Sequence, residues 1–263
     1  MSATNQLVQS QTEKDFQSSV DWSLGWRYET VRTADGHDEQ VRIPLTPEEA
    51  RHPKEGYVMP ERTEHDSICS DLCDMFRAKF ADKSDVAVFR NLVFIWSHAE
   101  VGDYAPDVAI VRNVREREAN RTQFSVAEEG TRPSLVIEVV SRTSRKDDRV
   151  NKVKDYAQVG VQEYVYIDKL TRRKETVWEL VGYRFSNGVT TPMLPDEDGA
   201  LYLESVNMRI GIENGHVWLE DGETGQDILT SLQVRLALRQ AEATIAELQA
   251  QLQALRSQTD DQR

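Results

Sequence analysis

The stretch SLVIEVVSRTSRKDDRVNKVKDYAQVGVQEYVYID, residues 134–168, decides the fold. It opens on a run of aliphatic and β-branched residues over 134–142 that reads as a buried strand. Over 146–159, Val150, Val153, Tyr156, Ala157 and Val159 share one side of a helix, and Gly160 ends it. EYVYID (163–168) is a second strand, with Tyr alternating with Val and Ile. Strand, helix and strand at this spacing form a βαβ crossover with parallel strands. Strand-rich segments lie on either side of that unit. VAVFRNLVFIW (86–96) and DYAPDVAIVRN (103–113) precede it, and KETVWELVGYRFSNGV (174–189) follows as a hairpin turning at Asn187-Gly188. WRYETVRTADGHDEQVRI (26–43) reads as another hairpin around Asp35-Gly36. From His65 to Phe80, the apolar residues Ile68, Leu72, Met75, Phe76 and Phe80 take amphipathic helical spacing. The charged run 114–133 reads as a surface loop, and 201–220 as short strands. The fold class is α+β: a mixed sheet flanked by helices.

The chain's 263 residues suit one domain with appendages. Its 45 acidic and 32 basic residues leave a formal charge of −13, which excludes a general nucleic-acid coat. No apolar run approaches the roughly 18 residues of a membrane span. The N-terminus has neither the basic nor the apolar part of a secretion signal. Only Cys69 and Cys73 are present. They read as buried apolar residues in a reducing cytoplasm, because a zinc site would need ligands beyond the nearby His65. The expected organisation is a flexible tail over 1–20, a domain over 21–227, a coiled-coil helix over 228–256 and a second tail over 257–263. The coiled coil rests on a heptad with Ser231, Leu238, Ile245 and Leu252 at a, and Val234, Ala241, Leu248 and Leu255 at d. A homodimer or a partner helix would cover that seam. The alternative is a helix packed back on its own domain.

Two carboxylates stand out by their surroundings. Glu138 interrupts the apolar strand LVIEVV on the same face as Val136 and Val140. Asp107 follows Pro106 and opens the run VAIV. A carboxylate in a buried strand is costly unless it is paired or holds a metal. Two hard oxygen ligands suit Mg²⁺, and a nearby lysine, Lys152 or Lys154, can steady charge developing on phosphorus. Over 141–154, six basic residues meet two acidic ones, a local charge of +4 inside an acidic protein. Much of the acidity lies elsewhere: over 191–227 one basic residue meets nine acidic ones.

In order, Pro106-Asp107, Glu138-Val139-Val140-Ser141, Asp148-Arg149, Lys152, Tyr156, Gly160-Val161, Glu163-Tyr164 and Asp168 resemble the pattern of the Uma-two family of candidate restriction endonucleases, within the PD-(D/E)XK nuclease superfamily. The resemblance implies a restriction-endonuclease-like core and Mg²⁺-dependent hydrolysis of DNA phosphodiester bonds, with Mn²⁺ as a substitute ion. It implies metal ligation by Asp107, Glu138 and the main-chain carbonyl of Val139, and catalysis by Asp107, Glu138 and Lys152. The superfamily lysine two residues after the glutamate is Val140 here, so its role passes to Lys152 on the helix. His65, Ser141, Arg149 and Tyr156 are implied as substrate-binding or supporting residues. Upstream, GYVMPERTEHD (56–66) departs from the acidic segment common in the family. A non-catalytic binding or regulatory protein acting through its coiled coil is the alternative on the same fold.

Overall fold

A computed structural model describes residues 22, 24–33, 35–46, 48–49, 57–58, 63–141, 144–172 and 175–260. The expected tail over 1–20 and the last three residues of the one expected over 257–263 lie outside the described residues, while 257–260 continue the final helix. The chain divides into two units, residues 1–63 with 141–146, and residues 64–140 with 147–263.

The first unit contains the expected N-terminal hairpin. β1 (Trp26–Arg32) and β2 (Asp38–Pro44) pair antiparallel, with Trp26 opposite Pro44 and Arg32 opposite Asp38. Gly36 takes φ +87° in the turn, a backbone region that side chains with a Cβ rarely adopt. The Arg42 guanidinium lies 4.8 Å and 4.9 Å from the ring centres of Trp22 and Trp26. These cation–π contacts tie β2 to β1 in a hairpin whose strands are largely exposed.

The second unit is built on a six-stranded mixed sheet. The helix α1 (Thr63–Lys79) precedes its strands and buries Ile68, Cys69, Leu72, Cys73, Met75 and Phe76 along one face. β3 (Val86–Phe89) and β4 (Val93–Ile95) follow. The strand-rich stretch 86–96 forms two strands, parted where Asn91 takes φ +50°. Next come β5 (Val108–Arg112), β6 (Gln123–Ser125), the one-turn helix α2 (Val126–Glu129) and β7 (Pro133–Val139). A π-helical turn over Asp147–Asn151 leads into α3 (Lys152–Gln158). β8 (Glu163–Arg172), β9 (Glu175–Ser186) and β10 (Val189–Pro192) complete the sheet, in the order β10-β9-β8-β7-β5-β3. β7 and β8 are parallel, as the crossover requires, and β5 runs antiparallel to β7.

Because side chains alternate along β7, the sheet buries two cores. Leu135, Ile137 and Val139 join α1 and a second, antiparallel sheet, whose strands are β11 (Leu201–Leu203), β12 (Met208–Glu213), β13 (His216–Asp221) and β14 (Asp227–Ile228). Val136 joins the other core, with Tyr156 and Val159, the strand residues Tyr164 and Tyr166, and Phe94 and Phe124. Phe124 corrects the reading of 114–133 as a plain surface loop. It is fully buried, and β6 pairs parallel with β4. The chain ends in α4 (Ser231–Asp260). Among the described residues, no helix is long and apolar enough to cross a membrane.

Two local devices in this unit carry predictions. Gly160 takes φ +79° just after α3, where Val161 N–H donates to Tyr156 O at 3.0 Å. A Cβ at Gly160 would also sit 2.4 Å from Arg132 Nη1, the group that donates to Val159 O at 2.9 Å. Gly160→Ala is expected to cost about 1–2 kcal/mol from the left-handed backbone alone, read as a fall of several degrees in melting temperature. Asp221 accepts from the Lys79 ammonium and from the N–H groups of Glu223 and Thr224, and these bonds hold its carboxyl below the usual range. Its stabilising effect is present above the unfolded value of about 3.9 and is lost as pH falls through the depressed folded value. Asp221→Asn should therefore flatten the acid limb of melting temperature against pH below about 4 and lower stability at neutral pH.

Candidate active site

β7 is buried along its whole length, and Glu138 sits in it at 3% exposure. What makes this tolerable is α3, which crosses the face on which Glu138 emerges. Lys152 Nζ lies 2.9 Å from Glu138 Oε1, and Tyr156 OH donates to the same oxygen at 2.8 Å. The four-residue spacing of Lys152 and Tyr156 puts both on one side of the helix. The π-helical turn places Asp148 at 1% exposure, with Oδ1 2.8 Å from Lys152 Nζ. Tyr164 OH donates to the carbonyl of Asp148 at 2.9 Å and anchors that turn to the sheet. One ammonium thus bridges two buried carboxylates.

The electrostatics follow from burial. Desolvation pushes the Glu138 carboxyl upward, against the pull of the Lys152 ammonium. For Lys152, desolvation works downward, but the Glu138 and Asp148 carboxylates outweigh it and hold the ammonium above its usual range. Burial, helped by Glu138, raises the Tyr156 hydroxyl well above an ordinary tyrosine, so it stays a donor.

Asp107 stands just before β5. β5 and β7 pair antiparallel with Val108 opposite Ile137, and that register runs on toward Asp107 and Glu138. Asp107 Oδ2 accepts the Val139 N–H at 2.8 Å and lies 3.2 Å from His65 Nε2. The Asp107 charge also contributes to raising Glu138. Both carboxylates gather their protein partners on one oxygen. Asp107 Oδ1 and Glu138 Oε2 have no partner among the described residues. Two carboxylates with a spare oxygen apiece, one in β7 and one just before its partner strand β5, are the type of donor that suits a hard divalent cation.

The other expected residues are placed as follows. His65 comes from the first turn of α1 and sits between Asp107 and Cys69, whose Sγ is 3.6 Å from His65 Nδ1. Ligand-capable atoms of His65, Cys69 and Asp107 lie within 4.8 Å of one another. Burial, then the Asp107 charge, pushes the Cys69 thiol far above its usual range, which disfavours it as a soft-metal ligand. Arg149 donates to Asp168 Oδ2 at 2.8 Å and lies 2.9 Å from Glu179 Oε2. A phosphate contact from Arg149 would compete with both carboxylates. Ser141 belongs to the first unit, where its Oγ lies 2.9 Å from Ser144 Oγ.

Sequence reasoning did not assign roles to Asp148, Asp168 or Tyr104, whose OH donates to Asp155 Oδ2. The Asp148–Lys152 spacing is the one signal that could have found a partner. The Arg149–Asp168 and Tyr104–Asp155 pairs span elements that no local pattern links.

A family model described as "Putative restriction endonuclease", Uma2, matches residues 54–197. Among solved structures, the chain is similar to one titled as a "putative nuclease belonging to DUF820" from Anabaena variabilis ATCC 29413. The two are 17% identical with a TM-score of 0.41, over 62% of this chain and 91% of that one. No curated protein matches the chain.

Proposed function

The chain belongs to the Uma2 family, and on that premise we propose that it is a Mg²⁺-dependent endonuclease that hydrolyses DNA phosphodiester bonds, with Mn²⁺ able to substitute. What supports this reading is that Asp107 and Glu138 each keep one carboxylate oxygen without a partner among the described residues, with a lysine held beside Glu138. Asp107 and Glu138 would hold the cation, with the main-chain carbonyl of Val139 completing the protein's share. Lewis-acid polarisation of the phosphodiester and acidification of the attacking water are the chemistry such a cation supplies when bound. The chain's own residues do the rest. Tyr156 and Lys152 fix the Glu138 carboxylate by its Oε1, leaving Oε2 available. The Val139 N–H and His65 do the same for Asp107 Oδ2. Lys152, locked between two carboxylates, keeps a positive charge beside the place where negative charge builds on the phosphoryl oxygens.

The net charge of −13 fits a cutter that grips its substrate over a small site and binds bulk DNA weakly and salt-sensitively. The two cysteines are free and buried, in keeping with a reducing cytoplasm. Association through the C-terminal helix as a homodimer would supply two sites for two strands. The test is plasmid DNA incubated with purified full-length protein, with Mg²⁺ or Mn²⁺ and with chelator. Nicking or linearisation that requires the cation supports the reading. Its absence at every ion and salt concentration would leave the non-catalytic binding role in its place.

A further inference from the structure

We propose that residues 231–255 of two copies of this chain wind into a parallel, two-stranded coiled coil. The helix α4 starts from a fixed point. Asp74 on α1 accepts from both the N–H and the Oγ of Ser231, and Thr230 and Gln233 cap each other across the first turn. From Ser231 to Gln253 every side chain is exposed. Five of them are large aliphatics on one stripe: Val234 at 51%, Leu238 at 57%, Ile245 at 54%, Leu248 at 53% and Leu252 at 56%. With Ala241 they repeat at alternating steps of four and three residues, which is the a/d seam of a coiled coil and not the broader face of a helix lying on a globular core. The helix therefore does not pack back on the described part of its own chain. Sealing two such stripes together removes on the order of 1,000 Å² of surface, the size at which specific interfaces begin.

The flanking positions choose the occupant and its direction. The e positions are Arg235, Glu242, Gln249 and Arg256, and the g positions are Ala237, Thr244 and Gln251. In a parallel pair each g residue lies beside the partner's e residue five positions on. That sets Ala237 with Glu242 and Thr244 with Gln249, and no like charges meet. An overlapped antiparallel pair brings e beside e and sets Glu242 against its own copy. A helix built for a different chain uses e and g charges to refuse its own copy, and this one carries no such refusal in parallel register.

The inference stands apart from the nuclease reading, because association is measured with neither metal nor DNA present. Sedimentation equilibrium of the full chain at about 1–100 µM should give twice the mass of one chain, the range expected for a three- to four-heptad coil. Ile245→Asp, and separately Leu248→Asp, should return the mass to that of one chain with thermal unfolding of the remainder unchanged. Leu232→Gln with Leu236→Gln, equally exposed but off the seam, should leave the dimer intact. Leu252→Cys should cross-link two copies on oxidation, since position 252 meets itself only in the parallel arrangement. A single-chain mass throughout, a trimer, a dimer surviving both seam variants, or cross-linking only between Val234→Cys and Leu252→Cys chains would each overturn the proposal.

Discussion

Glu138→Gln is expected to abolish cation-dependent cleavage of plasmid DNA while leaving the protein folded, and Asp107→Asn to do the same. The amides are chosen because they keep shape and acceptors. The glutamine of the first variant can still accept from Tyr156 OH, and the asparagine of the second can still accept the Val139 N–H, bonds of 2.8 Å each in the parent. Asp107→Asn removes only the charge that would hold the cation, whereas Glu138→Gln also withdraws one of the two carboxylates that balance Lys152 and should cost some stability. Losing one of two anionic ligands should lower the rate by about 10³-fold or more, equivalent to roughly 4 kcal/mol of transition-state stabilisation. Glu138→Ala and Asp107→Ala should be as inactive. Glu138→Ala should be less stable still, because Tyr156 OH and the buried Lys152 ammonium also lose the oxygen they share. Calorimetry with Mn²⁺ gives an activity-free readout: affinity should fall in all four variants. Cleavage that persists in both Asp107 and Glu138 variants would remove these residues from the site.

How much of this was legible in the sequence depends on the distance over which each feature is written. The crossover 134–168 was legible because strand, helix and strand each carry their own period and lie next to one another. The Glu138 environment was legible because alternation with Val136 and Val140 puts it on a covered face, and it is indeed buried. The reach of Lys152 to Glu138 followed from having a helix between the two strands. The π-helical turn was not legible, since Asp147–Asn151 carries no signal that separates it from an ordinary first turn. Phe124 was a single aromatic among charges, and its burial comes from β4, thirty residues upstream, which no local period reports. Arg149 counts toward the local charge of +4, but its two carboxylates, Asp168 and Glu179, come from β8 and β9, which no local pattern links to it. Local charge summed along the chain overstates what a phosphate would meet, since Arg149 and Lys152 already have buried or half-buried acids in contact.

Lys152→Ala is expected to remove turnover and to destabilise the fold by about 3–5 kcal/mol, because Glu138 and Asp148 are then left buried without their shared counter-charge. Mn²⁺ binding should survive, since the lysine is not a ligand and the spare oxygens of Asp107 and Glu138 remain. Loss of that affinity would contradict the role assigned to Lys152. Stability and turnover must be separated, because an unstable enzyme can lose activity for trivial reasons. Lys152→Met keeps the aliphatic stem, so any excess loss in Lys152→Ala reports packing and the part common to both reports charge. Lys152→Arg should not rescue, as a planar fork cannot take the place of a compact ammonium between two carboxylates. The deciding variant combines Lys152→Met with Asp148→Asn. One of the two stranded charges is gone, so thermal stability should recover by about half of what Lys152→Met lost. Turnover should not recover with it, because the positive charge beside the phosphoryl group is still missing. If turnover returns as the fold is restored, the lysine serves only to balance buried acids, and the charge that steadies the reaction has to come from elsewhere in the site.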